Sequence, residues 1–139
     1  MHLGRHKINR SIPVTVSSGA STMPPYGIWL YPGDDGSGLN YGVIRYKVPS
    51  CEGGLYEIGA IVEAVYLPWT IGHSDFHILT NKVELTSSQA IAAGGKAIYD
   101  VNILTLSAGD TVDFVIGRGA DDDSYASGLR LWAELCHVQ

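Results

Sequence analysis

The sequence predicts an all-β domain, an antiparallel sandwich of about eight strands, and three observations lead there. Short segments of strict apolar/polar alternation recur along the chain, turn-forming residues separate them, and no stretch of ordinary helical length carries a 3.6-residue period. Composition agrees, since 17 glycines, 6 prolines and 8 tyrosines favour strands joined by turns.

Residues 1–10 lack periodicity and are expected to be a flexible N-terminal tail, with a single sandwich domain over 11–139. Ile12–Val16 reads as a short first strand, placed at a sheet edge by Pro13, which has no backbone donor. Ser17–Pro25 is small and polar and reads as a loop. Ile28–Tyr31 is the next strand, stopped by Pro32-Gly33-Asp34-Asp35-Gly36. In Gly42–Val48, Ile44, Tyr46 and Val48 share one face while Arg45 and Lys47 share the other, until Pro49 ends the run. Tyr56–Tyr66 is the longest alternating segment and should be central, with Tyr56, Ile58, Ala60, Val62, Ala64 and Tyr66 inward and Ile61 and Val65 outward. Phe76–Thr80 and Val83–Thr86 flank an Asn81-Lys82 turn. Ser87–Gly95 is ambiguous, with one helical turn allowed at Gln89–Ala93 before Gly94-Gly95. Strand resumes over Ala97–Leu106. After the Ala108-Gly109-Asp110 turn, Val112, Phe114 and Ile116 alternate with Thr111 and Asp113, and Val115 breaks the polar side. Residues 117–128 have no period and form a polar loop. In the last strand Leu129, Leu131, Ala133 and Leu135 face one way and Arg130, Trp132 and Glu134 the other.

A chain of 139 residues is long enough for one core without metal or disulfide staples. A net charge of −5 and pI near 5.4 argue against nucleic acid, whose phosphates demand clustered Lys and Arg, and equally against anionic membrane surfaces. No apolar run approaches the ~20 residues of a spanning helix, and the basic start has no apolar core of a signal peptide. The expectation is a cytoplasmic protein or an exported one whose signal lies outside this sequence. Cys51 and Cys136 are too few for a disulfide framework and are read as unpaired thiols.

The run Ile44-Arg45-Tyr46-Lys47-Val48-Pro49, the strand opening Gly54-Leu55-Tyr56, the segment Leu104–Phe114 with its Ala-Gly-Asp turn, and the acidic loop leading to Gly128-Leu129 carry a resemblance. Over roughly Gly42 to Leu135 the layout resembles the jelly-roll or galactose-binding-like modules of bacterial extracellular and carbohydrate-active proteins. The Ala-Gly-Asp turn is also similar to that in the jelly rolls of tumour-necrosis-factor-like and complement-globular-head-like assembly modules. The resemblance implies a jelly-roll sandwich that binds or assembles, with carbohydrate as the commonest partner and calcium as a structural ion.

Sugars present flat apolar faces to aromatic rings and hydroxyls to polar groups, so aromatics outside the core are the candidates. Trp132 lies outward between Arg130 and Glu134, while Trp69 follows Pro68 in a loop and Tyr125 sits in the acidic loop; Trp29 and Tyr31 are read as core. These assignments make Trp132, Trp69, Tyr125 and Arg130 the expected ligand-binding residues. Asp121 and Asp123, with Asp122 between them and Asp34-Asp35 as helpers, are the expected oxygen ligands of calcium, although the EF-hand spacing is absent. His73 and His77 bracket Asp75, but in an extended segment residues four apart are ~13 Å apart, too far for one metal ion. No nucleophile elbow, Walker loop or dinucleotide fingerprint is present, and Gly117-Arg118-Gly119 is only a fragment of one. Glu57, Glu63, Asp113 and Glu134 fall on outward positions, but the separations that a glycoside-hydrolysing pair needs are not contained in the sequence. The expectation is a noncatalytic module for carbohydrate or a similar polar ligand. The alternative is a self-assembling homo-oligomer in which Ile61, Val65 and Trp132 are buried between copies.

Overall fold

The alternating segments fold as strands that turn their apolar sides toward one another across two sheets. The computed structural model describes residues 2–8, 16–18, 21–23, 28–32, 41–66, 72–119 and 128–138, and among them there is no helix. The strands are β1 (His2–Ile8), β2 (Val16–Ser18), β3 (Ser21–Met23), β4 (Ile28–Leu30), β5 (Gly42–Lys47), β6 (Gly54–Ala64), β7 (His73–Thr80), β8 (Val83–Ala92), β9 (Lys96–Leu106), β10 (Thr111–Gly117) and β11 (Leu129–Val138). A five-stranded sheet has the order β1-β11-β6-β9, with β4 also pairing β11. A four-stranded sheet has the order β5-β10-β7-β8, and among the described residues β2 and β3 pair with each other alone. All the pairings are antiparallel.

The core lies between the sheets. Tyr56, Ile58, Ala60 and Val62 of β6 and Leu129, Leu131, Ala133 and Leu135 of β11 are buried, as are Phe76 and Ile78 of β7 and Val112, Phe114 and Ile116 of β10. Each large apolar side chain so buried contributes roughly 1.5–3 kcal/mol relative to exposure. At the end of the sandwich the His137 ring lies flat on Tyr56, with centroids 4.7 Å apart, and the Tyr56 hydroxyl donates to the Glu52 carbonyl at 2.6 Å.

The Asn81-Lys82 turn is the predicted two-residue hairpin. Both residues have positive φ (48° and 68°), the conformation whose twist matches the flanking strands. The Asn81 side-chain oxygen also accepts the Thr111 N–H at 3.0 Å, which ties the hairpin to the start of β10. Cys51 is exposed and Cys136 buried, and no disulfide joins them.

Several expectations are corrected. The segment expected to be a tail is β1, paired with β11 from His2↔Val138 to Ile8↔Ala133. Its pairing is made by the backbone and needs no apolar alternation, which is why periodicity did not show it. Two short strands occupy part of the loop expected over Ser17–Pro25, and of the strand expected over Ile12–Val16 only Val16 is among the described residues. The ambiguous Ser87–Gly95 stretch continues β8 to Ala92. Val65, placed outward by extending the alternation, is buried, because β6 ends at Ala64 and the Val65 N–H turns to the Gly128 carbonyl at 3.2 Å. Val65 is thereby covered by its own chain, which removes it from the expected inter-copy patch.

Candidate functional site

The two outward sheet faces carry the polar and aromatic chemistry, and register decides which residues meet there. On the five-stranded sheet, β11 runs between β6 and the shared edge of β4 and β1. Pairing sets Trp29, Arg130, Glu63 and Lys96 in one cross-strand row. The next outward row is Trp132, Ile61 and Ile98, and the one after it is Glu134, Gly59 and Asp100. Neighbours within a row are ~4.8 Å apart and successive rows ~7 Å apart, so Trp132 sits between an ion-paired row and a carboxylate row. Arg130 Nη2 donates to Glu63 Oε2 at 2.6 Å.

Gly59 leaves a gap in the third row. A Cβ placed there would meet nothing within 4 Å, so the missing side chain opens a depression in the sheet surface. The depression has a volume of about 330 Å³, and its outward lining residues are Glu57, Ile61, Ile98, Asp100, Trp132 and Glu134. Ile98 is 70% exposed, so its aliphatic side chain is open to a ligand. Cys136, at the end of the depression, lies 3.2 Å from Glu134 through its thiol. The arrangement offers an aromatic ring, two aliphatic side chains in line with it, and carboxylate acceptors one row away. A pyranose ring, apolar on its C–H face and hydroxylated at its edge, fits that division.

The four-stranded sheet presents a different outward face. Val43, Val115, His77 and Ser87 form one cross-strand row, and Arg45, Asp113, Leu79 and Glu84 form the next. Arg45 grips Asp113 with two hydrogen bonds, Nε to Oδ1 at 2.6 Å and Nη2 to Oδ2 at 2.7 Å, so the outward Asp113 is buried beneath the guanidinium. His77 is held at both ring nitrogens, with Nε2 2.6 Å from Asp75 Oδ2 and Nδ1 against Glu84 Oε1. Asp75 Oδ1 also accepts the Gly119 N–H at 2.9 Å. The hydrogen bond His77 makes to Asp75 raises the His77 pKa above its ordinary 6.5; burial opposes the rise and Glu84 adds to it. Burial pushes Asp75 up, but His77 and the Gly119 N–H outweigh it and hold the carboxyl below its ordinary value. Both ring nitrogens thus face carboxylate oxygens, an arrangement that favours the protonated ring over the neutral one.

The predicted site residues separate into two groups. Trp132 and Arg130 share one face and are consecutive outward residues of β11, as the alternation requires. Trp69, Tyr125, Asp121, Asp122, Asp123, Asp34 and Asp35 lie outside the described residues. Among the described residues no group of three or more His, Cys, Asp or Glu side chains could hold a metal ion. His73 and His77 share an extended strand, as the spacing argument expected, and His77 bridges carboxylates instead. Trp29, read as core, is corrected: Leu30 packs toward the core while Trp29 faces outward opposite Arg130, with its indole N–H buried and unbonded. A three-residue strand is too short for periodicity to say which side is wet. Gly59, Ile98 and Asp100 carry no signal in the sequence alone, because an outward glycine between two outward carboxylates is recognisable only once the register is known.

No family model and no curated protein matches the chain. Among solved structures it is similar to a family 51 carbohydrate-binding module from Clostridium perfringens in complex with methyl-galactose, with TM-score 0.51 and 16% identity over 78% of this chain and 79% of that one. It is also similar to a family 36 carbohydrate-binding module of a multidomain xylanase from the hindgut metagenome of Trinervitermes trinervoides, with TM-score 0.48 and 10% identity over 98% of both chains. A native family 35 carbohydrate-binding module from Clostridium thermocellum matches with TM-score 0.42 and 12% identity over 94% of this chain and 88% of that one. At such identities the likeness is one of fold, and the fold is the jelly-roll β-sandwich found in carbohydrate-binding modules.

Proposed function

We propose that the chain is a noncatalytic carbohydrate-binding module that receives sugar on the outward face of its five-stranded sheet, with Trp132 as the platform. The observation that carries this reading is Trp132 standing in line with Ile61 and Ile98 beside the depression over Gly59. The C–H face of a sugar ring stacks on the indole, its hydroxyls donate to Glu57, Asp100 or Glu134, and Arg130, aligned by Glu63, bounds the far side. Trp69 and Tyr125, and calcium on Asp121 and Asp123, belong to the proposal as expectations from the loop sequences.

The test is calorimetric titration with methyl-galactose and with β-1,4-linked xylo- and manno-oligosaccharides, in calcium and in chelator, for wild type and Trp132→Ala. The expected result is binding by wild type and a loss of about 30-fold in the variant, the ~2 kcal/mol typical of a central aromatic contact. The variant should keep the wild-type melting temperature within a few degrees. Absence of binding across the panel, or light scattering from a dimer or trimer that shields Trp132, refutes the reading.

A further inference from the structure

The four-stranded sheet has its own depression, which the sugar reading does not use. It has a volume of about 350 Å³ and is lined by Tyr41, Val43, His77, Leu79, Glu84 and Val115. Its floor is the row Val43–Val115–His77. Arg45 and Asp113 belong to the next row, in line with Leu79 and Glu84. At the other end, Tyr41 stands edge-on to His77, with ring centroids 6.5 Å apart and planes at 85°. Gly117 permits that close arrangement, since a Cβ there would lie 2.2 Å from Asp75 Oδ1 and 2.6 Å from the Tyr41 ring.

Two features set this depression apart from bare apolar surface. Its polar groups converge and are pre-positioned, because His77 is held by Asp75 from behind and itself holds Glu84. A bulge in β8 brings this about. Ile78 pairs Thr86 but Leu79 pairs Glu84, so the extra residue Leu85 turns to the core and Glu84 is carried onto the outward face. The apolar groups are also left open, with Val43 49% and Tyr41 41% exposed. A sugar carries hydroxyls around its whole edge and would leave most of them against Val43, Leu79 and Val115, unsatisfied. A flat apolar ring with a single hydroxyl leaves none, since a carboxylate has acceptor capacity beyond the one hydrogen bond from His77.

We propose that the outward face of the four-stranded sheet is a second, independent binding site for a small phenol-type ligand, whose ring lies against Tyr41, Val43 and Val115 and whose hydroxyl donates to Glu84. Aromatic-edge packing, aliphatic burial and one charge-assisted hydrogen bond supply the recognition.

The experiment is a two-dimensional amide NMR titration of the whole chain with p-cresol, and with toluene, which has the same ring and no hydroxyl. The expected result is p-cresol shifts centred on Val43, Val115 and His77, with toluene binding about tenfold more weakly for want of the hydrogen bond to a charged acceptor. Val43→Glu places a charge on the floor at a position already half exposed and should abolish both. Trp132→Ala should leave the p-cresol affinity unchanged, which separates this site from the sugar platform. Shifts centred on Trp132, equal affinity for the two probes, or an unaffected Val43→Glu protein overturns the proposal.

Discussion

Gly59→Val separates the fold from the binding face. Gly59 lies in the middle of β6, between Glu134 on β11 and Asp100 on β9, and a Cβ there touches nothing within 4 Å. Glycine within a strand costs roughly 0.5–1 kcal/mol through lost chain entropy, and β-branched residues are the better strand formers. The substitution should therefore stabilise the protein by about 1 kcal/mol, a rise of about 4 °C in melting temperature for a domain of this size. The same side chain projects into the depression between Trp132 and the two flanking carboxylates, where it keeps a sugar ring from settling. Sugar affinity should fall by about 30-fold or more, the effect of disrupting a central contact. Thermal denaturation followed by circular dichroism and calorimetric titration of the same preparation measure both effects. A folded, stabilised Gly59→Val protein with wild-type affinity would show that sugar is not received over this strand. An unfolded one would show that the space above Gly59 is not open.

Two further outcomes test the cluster on the other face and the closed end of the core. The folded His77 pKa lies above its ordinary 6.5, so the stabilisation from His77 is fully present below 6.5 and is lost as pH rises through the raised value. The folded Asp75 pKa lies below its ordinary 3.8, so its contribution is present above 3.8 and is lost as pH falls through the lowered value. Melting temperatures from pH 5 to 9 should decline on the alkaline side more steeply in wild type than in His77→Gln, and superimposable profiles would refute the raised pKa of the doubly held ring. Gly54→Ala forces a Cβ to 2.5 Å from His137 Nε2 at a φ of 154°, which L side chains rarely adopt. Chemical denaturation should show a loss of about 1–3 kcal/mol that shrinks when His137→Ala is added, and a loss that is the same in both backgrounds would mean the ring is not the obstacle.

The all-strand class, the inward and outward sides of the long strands and the Asn81-Lys82 hairpin are all legible in the order of the amino acids. These are local properties: side-chain period and turn chemistry are written in consecutive residues, and Phe114 and Leu131 are fully buried where alternation puts them. The outward placement of Trp132 followed from the same rule. Alternation extended past a strand end fails, as Val65 shows, and a short strand such as β4 offers too few residues to tell Trp29 from core. What stands beside Trp132, the pairing of a patternless N-terminal segment with β11, and the bulge that carries Glu84 to His77 emerge with the folded sheets. Each of these depends on which strand is the neighbour and in what register, a choice made by contacts between residues far apart in the chain. The depression over Gly59 is a gap between strands, and it exists only once three of them lie side by side.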